Sequence, residues 1–354
     1  MLKVKTCFLL ILLCALTANA QLRNADVYKL PEMDKSNTRE MIRIPDFGGY
    51  HTMKCDFHTH TVFSDGSVWP AIRATEAWQT GLDAVAITDH LEHRPRKNIL
   101  QGDHNEAYKI ARQKGDEKGI IVIKGAEITR AKPLGHLNAL FLTDSNPLDT
   151  EDPLKAIDIA VEQGAFIMWN HPGWPDNKST LYPIHEQLIK EKKIHGVEVF
   201  NEFEYYPVSF DWCKNMNLAF MGNSDIHAPI SELYGTEIRP MTLVFASERT
   251  EKGIKDALFA GRCAAFFNGQ LAGRPEHLRA LLKASLTLKT IQAEKGITDV
   301  SNHSDVSYTI AFDNKQITFP AGKTVRVTLP KTGKASVLNC FTGKDEHLTL
   351  DFPL

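Results

Sequence analysis

Eight short runs of apolar and β-branched residues recur along the first two thirds of the chain, at 53–57, 84–88, 120–124, 137–142, 165–169, 197–200, 218–221 and 241–245. Each is too short for a helix and reads as a buried strand. Amphipathic stretches separate them. One opens at Asp152-Pro153, carries Leu154, Ile157 and Val161, and stops at Gly164; another spans 248–261. Proline near a helix start and glycine just past its end are the expected punctuation. Strands alternating with helices imply an α/β fold with a parallel sheet or barrel. A length of 354 residues allows one large domain and a smaller one.

The two ends follow other patterns. After a helix at 275–283 the periodicity changes to two, with Tyr308, Ile310 and Phe312, then Val325, Val327 and Leu329, then Leu348, Leu350 and Phe352. This predicts a small antiparallel β domain over 286–354, without a cluster of reactive groups. At the N-terminus, Lys3 and Lys5 precede an apolar run at 7–16 and then Ala18-Asn19-Ala20. That is the pattern of a cleavable secretory leader, residues 1–20, and it implies a periplasmic or secreted protein. The run is too short to span a bilayer, so no membrane span is expected. Residues 21–50 read as a polar extension. The net charge of -2 becomes -4 once Lys3 and Lys5 are removed, so no nucleic-acid partner is expected. Cys55, Cys213, Cys263 and Cys340 match no zinc or redox spacing, which leaves buried thiols and disulfides both open. The oligomeric state is also open.

The chemistry follows the strands. The first run ends in Asp56-Phe57-His58-Thr59-His60, with Asp65 shortly after; the second ends in Asp89-His90; the third leads to Glu127. The fourth begins at Gly135-His136, the fifth ends in Asn170-His171-Pro172, and the seventh in Asn223-Ser224-Asp225-Ile226-His227. Strand ends converge on one face of an α/β barrel, where active sites form. Residues two apart on a strand point the same way, so His58 pairs with His60 and Asp225 with His227. Burying so many polar groups demands compensation, and metal ions supply it. Imidazole with carboxylate suits zinc, iron or manganese. His51, His104, His185, His195, His277, His303 and His347 lack this context and read as surface or structural.

These residues resemble the polymerase and histidinol phosphatase (PHP) superfamily over about 51–270, and with Ala265-Phe266-Phe267-Asn268-Gly269 they look like its Sb-PDE and carbaryl-hydrolase-like branch. The resemblance implies a distorted (β/α)7 barrel over 51–285. It implies two to three divalent ions (Mn, Fe or Zn): one on His58, His60, Glu127 and Asp225; one on Asp65, His90 and the bridging Glu127; one on His136, His171 and His227. Such ions outweigh the three carboxylates and a bridging hydroxide, leaving a surplus of about two positive charges that suits a small anionic phosphate ester. The activity implied is that of a phosphodiesterase using a metal-bridging hydroxide, with Glu127 and Asp225 in the catalytic centre and His93 and Arg94 facing the phosphate. The alternatives are a phosphomonoesterase, a carbamate or carboxylic ester hydrolase, and a non-catalytic metal-binding domain. Arg130, Asn201, Glu204 and Tyr205 are rim candidates, and Trp169 and Trp174 flank the His171 segment.

Overall fold

The computed structural model describes residues 30–352, apart from 236, 313–314 and 331. The expected leader lies outside the described residues. The chain divides into two compact units. In the first, residues 1–38, the described part holds one 3₁₀ turn at Pro31–Met33. The second, residues 39–354, holds the rest.

Its first part contains β1 (His51–Asp56), β2 (Ala84–Ile87), β3 (Ile121–Thr129), β4 (His136–Leu140), β5 (Phe166–Trp169), β6 (Gly196–Asn201), β7 (Glu204–Tyr205), β8 (Ala219–Asn223), β9 (Met241–Ala246), β10 (Cys263–Phe267) and β11 (Gln270–Gly273). All eight apolar runs are strands. The helices between them start where proline permits: Pro153–Glu162 follows Asp152, whose carboxylate accepts the Leu154 N–H, and Gly164 lies beyond its end at φ +74.

The sheet is mixed. The pairs β1–β2, β2–β3, β5–β6 and β6–β8 are parallel, whereas β9 runs antiparallel to β1 and β4 antiparallel to both β3 and β5. The β3–β4 link is too short for the crossover a parallel pair requires, so the chain turns back. His136 therefore begins β4 opposite Thr129, at the same edge where β3 ends. Among the described residues no ladder closes β8 onto β9 or β1. The ends meet at one bridge, Thr59 with Ile226, and at the Thr242 hydroxyl, which donates to the Gly222 carbonyl at 2.9 Å and accepts its N–H at 3.0 Å.

Beyond the helix Pro275–Ser285 come β12 (Leu286–Gln292), β13 (Ile297–Asn302), β14 (Tyr308–Phe312), β15 (Lys315–Phe319), β16 (Thr324–Thr328), β17 (Gly333–Gly343) and β18 (Glu346–Phe352). Strands β12, β13 and β16 form a separate antiparallel sheet. Strands β14, β15, β17 and β18 extend the main sheet, because β17 pairs in parallel with β11 through Leu271–Cys340 and Ala272–Phe341. One apolar cluster accordingly joins Phe245, Phe266 and Leu271 to Tyr308, Ile310 and Leu348. Cys55, Cys213, Cys263 and Cys340 are buried free thiols. No helix among the described residues is long and apolar enough to cross a membrane.

Candidate metal centre

The alternation of β1 continues past its end. Thr59 turns outward, its hydroxyl donating to the Ala86 carbonyl and its N–H to Thr88 Oγ1, so His58 and His60 face inward, fully buried. Asp89 is not in the cluster. It accepts from the Thr61 N–H and hydroxyl and from Ser64 Oγ, bracing the turn that carries Asp65. Asp225 is set by Ser224, whose hydroxyl donates to Asp56; Asp56 in turn is paired with the buried Arg239. Asp225 and His171 lie at φ +50 and +23, backbone strain of a kind that collects at functional sites.

Glu127, fully buried, sits at the middle. Its Oε2 lies 3.4 Å from His58 Nε2, 3.3 Å from His60 Nε2 and 2.9 Å from His90 Nδ1. Its Oε1 lies 2.9 Å from His136 Nδ1 and 3.7 Å from His171 Nε2. Asp225 Oδ1 is 3.1 Å from His58 Nε2 and 2.9 Å from His60 Nε2. Four of these atoms, His58 Nε2, His60 Nε2, Glu127 Oε2 and Asp225 Oδ1, are buried without a hydrogen bond. Each of the two imidazole nitrogens lies near both carboxylate oxygens yet is hydrogen-bonded to neither. Ligands about 2.1 Å from a tetrahedral ion lie about 3.4 Å from one another, so the spacing fits a divalent cation. Asp65 Oδ1 is likewise unbonded, 3.2 Å from His227 Nε2 and 3.5 Å from His90 Nε2. Among the described residues, four overlapping groups of three or more such residues present ligand atoms within 4.8 Å of one another, which marks a multi-metal site.

The structure thus gathers His58, His60, Asp65, His90, Glu127, His136, His171, Asp225 and His227 in one cluster, but in a different grouping. His136 and His171 adjoin, ring centroids 4.9 Å apart, whereas His227 stacks on His60 at 4.1 Å and faces Asp65. The reason is local: His227 Nδ1 is tied to the Asp225 carbonyl at 2.7 Å, which turns Nε2 toward Asp65. His93 lines the cavity, 3.8 Å from Asp65. Arg94 does not, because its guanidinium donates to the Phe63 and Gly102 carbonyls. Of the rim candidates, Asn201, Glu204 and Trp174 line the cavity. Arg130 is spent on Glu92, Tyr205 points to solvent, and Trp169 is core, stacked on His185 at 3.7 Å.

Glu198 carries no signal of its own at a strand end, yet it is the main brace. Fully buried, it accepts from His58 Nδ1 at 2.9 Å, the His171 N–H at 2.7 Å, Asn201 Nδ2 at 2.7 Å and Asn223 Nδ2 at 3.0 Å. A carboxylate behind a histidine fixes the tautomer and aims the other nitrogen at the metal. His90 is aimed similarly by Thr129 Oγ1 at 2.6 Å from its Nδ1.

Burial opposes every charge here, but the neighbours dominate. Burial pulls the His90 imidazole down, and Glu127 and Asp65 overcome it, pushing it up to about 10. Against burial, His58 is raised by Asp225, Glu198 and Glu127, His171 by Glu127, Asp225 and Glu198, and His227 by Asp65 and Asp225. Burial, with His227 and His90 nearby, holds His60 at about 4. Asp65, Glu127 and Asp225 stay far below the carboxylate range despite burial, because imidazoles surround them. The cluster is thus a set of anions matched by cations, which divalent ions can replace.

No family model matches the chain. An uncharacterized protein of Methanocaldococcus jannaschii is 38% identical over 81 residues, 23% of this chain and 36% of that protein, so the match spans about a third of that relative. Among solved structures, endonuclease Q of Pyrococcus furiosus is 15% identical with a TM-score of 0.41, covering 63% of this chain and 59% of that one, too slight a likeness to bear on function. A two-domain protein of Bacteroides vulgatus, described as containing a predicted PHP-like metal-dependent phosphoesterase, is 39% identical with a TM-score of 0.85. It covers 89% of this chain, and the match takes in 99% of its own length. With that identity over both domains, and with a centre whose ligand atoms are spaced for divalent ions, the chain belongs to the PHP-like metal-dependent phosphoesterases.

Proposed function

We propose that the chain is an exported phosphodiesterase. The observation that carries the hydrolytic reading is the set of unbonded, buried ligand atoms, those of Asp65, Glu127 and Asp225 belonging to residues that line a cavity of 450 Å³. His58, His60, Glu127 and Asp225 would hold one ion, Asp65, His90 and His227 with Glu127 a second, and His136 and His171 would contribute to a third. Ions there polarise a phosphoryl oxygen and lower the pKa of water to about 7. The protein's own part is to fix the ligands, through Glu198 and Thr129, and to hold carboxylates ionised. His93 stands at the cavity edge, where it can donate a hydrogen bond to a phosphoryl oxygen or a proton to the departing alkoxide.

A diester is favoured over a monoester by the shape of the opening. A second groove of 520 Å³ shares Thr129, His136 and Trp174 with the cavity, so two adjoining spaces meet at these residues. A diester has two arms to place, and a monoester one. Export is inferred from the leader pattern, and fractionation of expressing cells tests it.

The enzymatic test is direct. Residues 21–354 are stripped with chelator, reloaded with Mn, Zn or Fe, and assayed on bis-p-nitrophenyl phosphate, p-nitrophenyl phosphate and a carbamate ester. The proposal expects the diester to be hydrolysed fastest and only in the presence of metal. A faster monoester makes the chain a phosphomonoesterase, and a faster carbamate moves the chemistry to carbon.

A further inference from the structure

The cavity above the metal centre is charged unevenly. One wall is the β6–β7 hairpin, whose turn has only two residues, Glu202 and Phe203, between the paired Asn201 and Glu204. Asn201, Glu202, Glu204 and Tyr206 of this segment line the cavity. Phe203 and Tyr205 do not line it and are 53% and 59% exposed; Glu202 and Glu204 are exposed as well, at the cavity rim. Glu202 occupies its place at φ +50, in a turn position where glycine is favoured.

No Lys or Arg among the described residues lines the cavity. The neighbouring guanidinium groups are engaged elsewhere: Arg94 with the Phe63 and Gly102 carbonyls, Arg96 with the Ser64 and Gly66 carbonyls, Arg130 with Glu92. Among the described residues, neither Glu202 nor Glu204 forms an ion pair; Glu204 accepts only from the Tyr206 hydroxyl, at 3.0 Å. Asp65, Glu127 and Asp225 belong to the metal centre and are matched by the ions it would hold. Glu202 and Glu204 are therefore surplus negative charge on the wall, and they repel an anionic arm of a substrate. Trp174, half exposed, also lines this cavity, and an aromatic face attracts a cation.

We propose that the ester arm lying along the β6–β7 hairpin carries a positive charge, so that the substrate is zwitterionic: phosphate on the metal centre, an ammonium group held by Glu202, Glu204 and Trp174. The proposal rests on the phosphoesterase reading and names the substrate class of the same site. It assigns Glu202 and Glu204 to selectivity, not to the hydrolytic step. The ammonium need not react; it orients the ester and replaces solvent against the wall.

The experiment compares two esters of one shape. They are p-nitrophenyl phosphorylcholine and its 3,3-dimethylbutyl isostere, whose arm is uncharged, tested on the metal-loaded protein. The expected result is a kcat/KM at least about tenfold higher for the choline ester. In the double variant Glu202→Gln, Glu204→Gln the ratio falls toward one, chiefly through KM. Equal kcat/KM values in the unaltered protein, or a ratio unmoved in the variant, would overturn the proposal. Calorimetric binding of choline phosphate against 3,3-dimethylbutyl phosphate keeps the two readings apart. If neither ester is turned over, the hydrolase reading fails; tighter choline phosphate binding lost in the variant then still supports the selective wall, and equal binding sinks it.

Discussion

Single residues divide here into those that hold metal and those that hold the holders. Glu198 belongs to the second kind. Glu198→Gln keeps the side chain's shape but removes the charge that orients His58. A loss of metal affinity of about 10- to 100-fold is expected, with the fold retained, read by competition with a chelator. The imidazoles give a second prediction. His90 is raised to about 10, against an ordinary value near 6.5, so its protonated form stabilises the metal-free chain below about pH 6.5, and that stabilisation is lost as pH rises toward 10. His58, His171 and His227 act in the same sense. The midpoint of thermal unfolding of chelator-stripped protein should therefore fall between pH 6.5 and pH 10, and bound metal should flatten the dependence. Most of the site was legible in sequence because a ligand on a strand end interrupts an apolar run at its boundary. Glu198 hides inside such a run, Val197-Glu198-Val199-Phe200. The clue was available all the same: a lone carboxylate amid buried apolar residues must have partners. Which partners His227 and Arg94 take was not legible, since that depends on backbone carbonyls brought near by tertiary packing.

At the scale of elements, turns decide the site more than strands do. The eight strands were readable from their apolar runs, but an all-parallel sheet was not the outcome, because the link from Thr129 to His136 is a hairpin link. The hairpin β10–β11 had an unused signal in Asn268-Gly269, whose positive φ values of 48 and 73 are those such a turn requires. The two-residue turn at Glu202 had none, as neither of its residues is a turn former. The turn carrying Asp65 offers the clearest test. A Cβ on Gly66 would lie 2.7 Å from the His60 carbonyl carbon and 2.8 Å from the Thr61 nitrogen, both backbone atoms. Gly66→Ala must push the turn away from β1, costing about 1–3 kcal/mol in urea unfolding. It should weaken metal binding as well, because Asp65 moves with it.

For the molecule as a whole, the sheet that carries the metal centre does not stop at β11. It continues into β17, β14 and β15, and one apolar cluster spans the junction. A chain ended after Ser285 would expose the faces of Phe266, Leu271 and Leu278 that now meet Tyr308, Ile310 and Leu348. Such a chain is expected to aggregate, while the full chain unfolds in one calorimetric transition. The period-two pattern revealed these strands, but not their continuity with the main sheet, since β pairing between distant segments leaves no local trace. A last consequence concerns the β6–β7 hairpin. The groups that would hold the metals are mostly buried at strand ends and braced by others, so most changes there are expected to abolish activity. The two carboxylates assigned to choosing the ester, Glu202 and Glu204, sit within three consecutive exposed residues at the rim, where exchange disturbs little else. Descendants of this chain can thus acquire new diets by rewriting one short segment, while the inherited chemistry stays as it is.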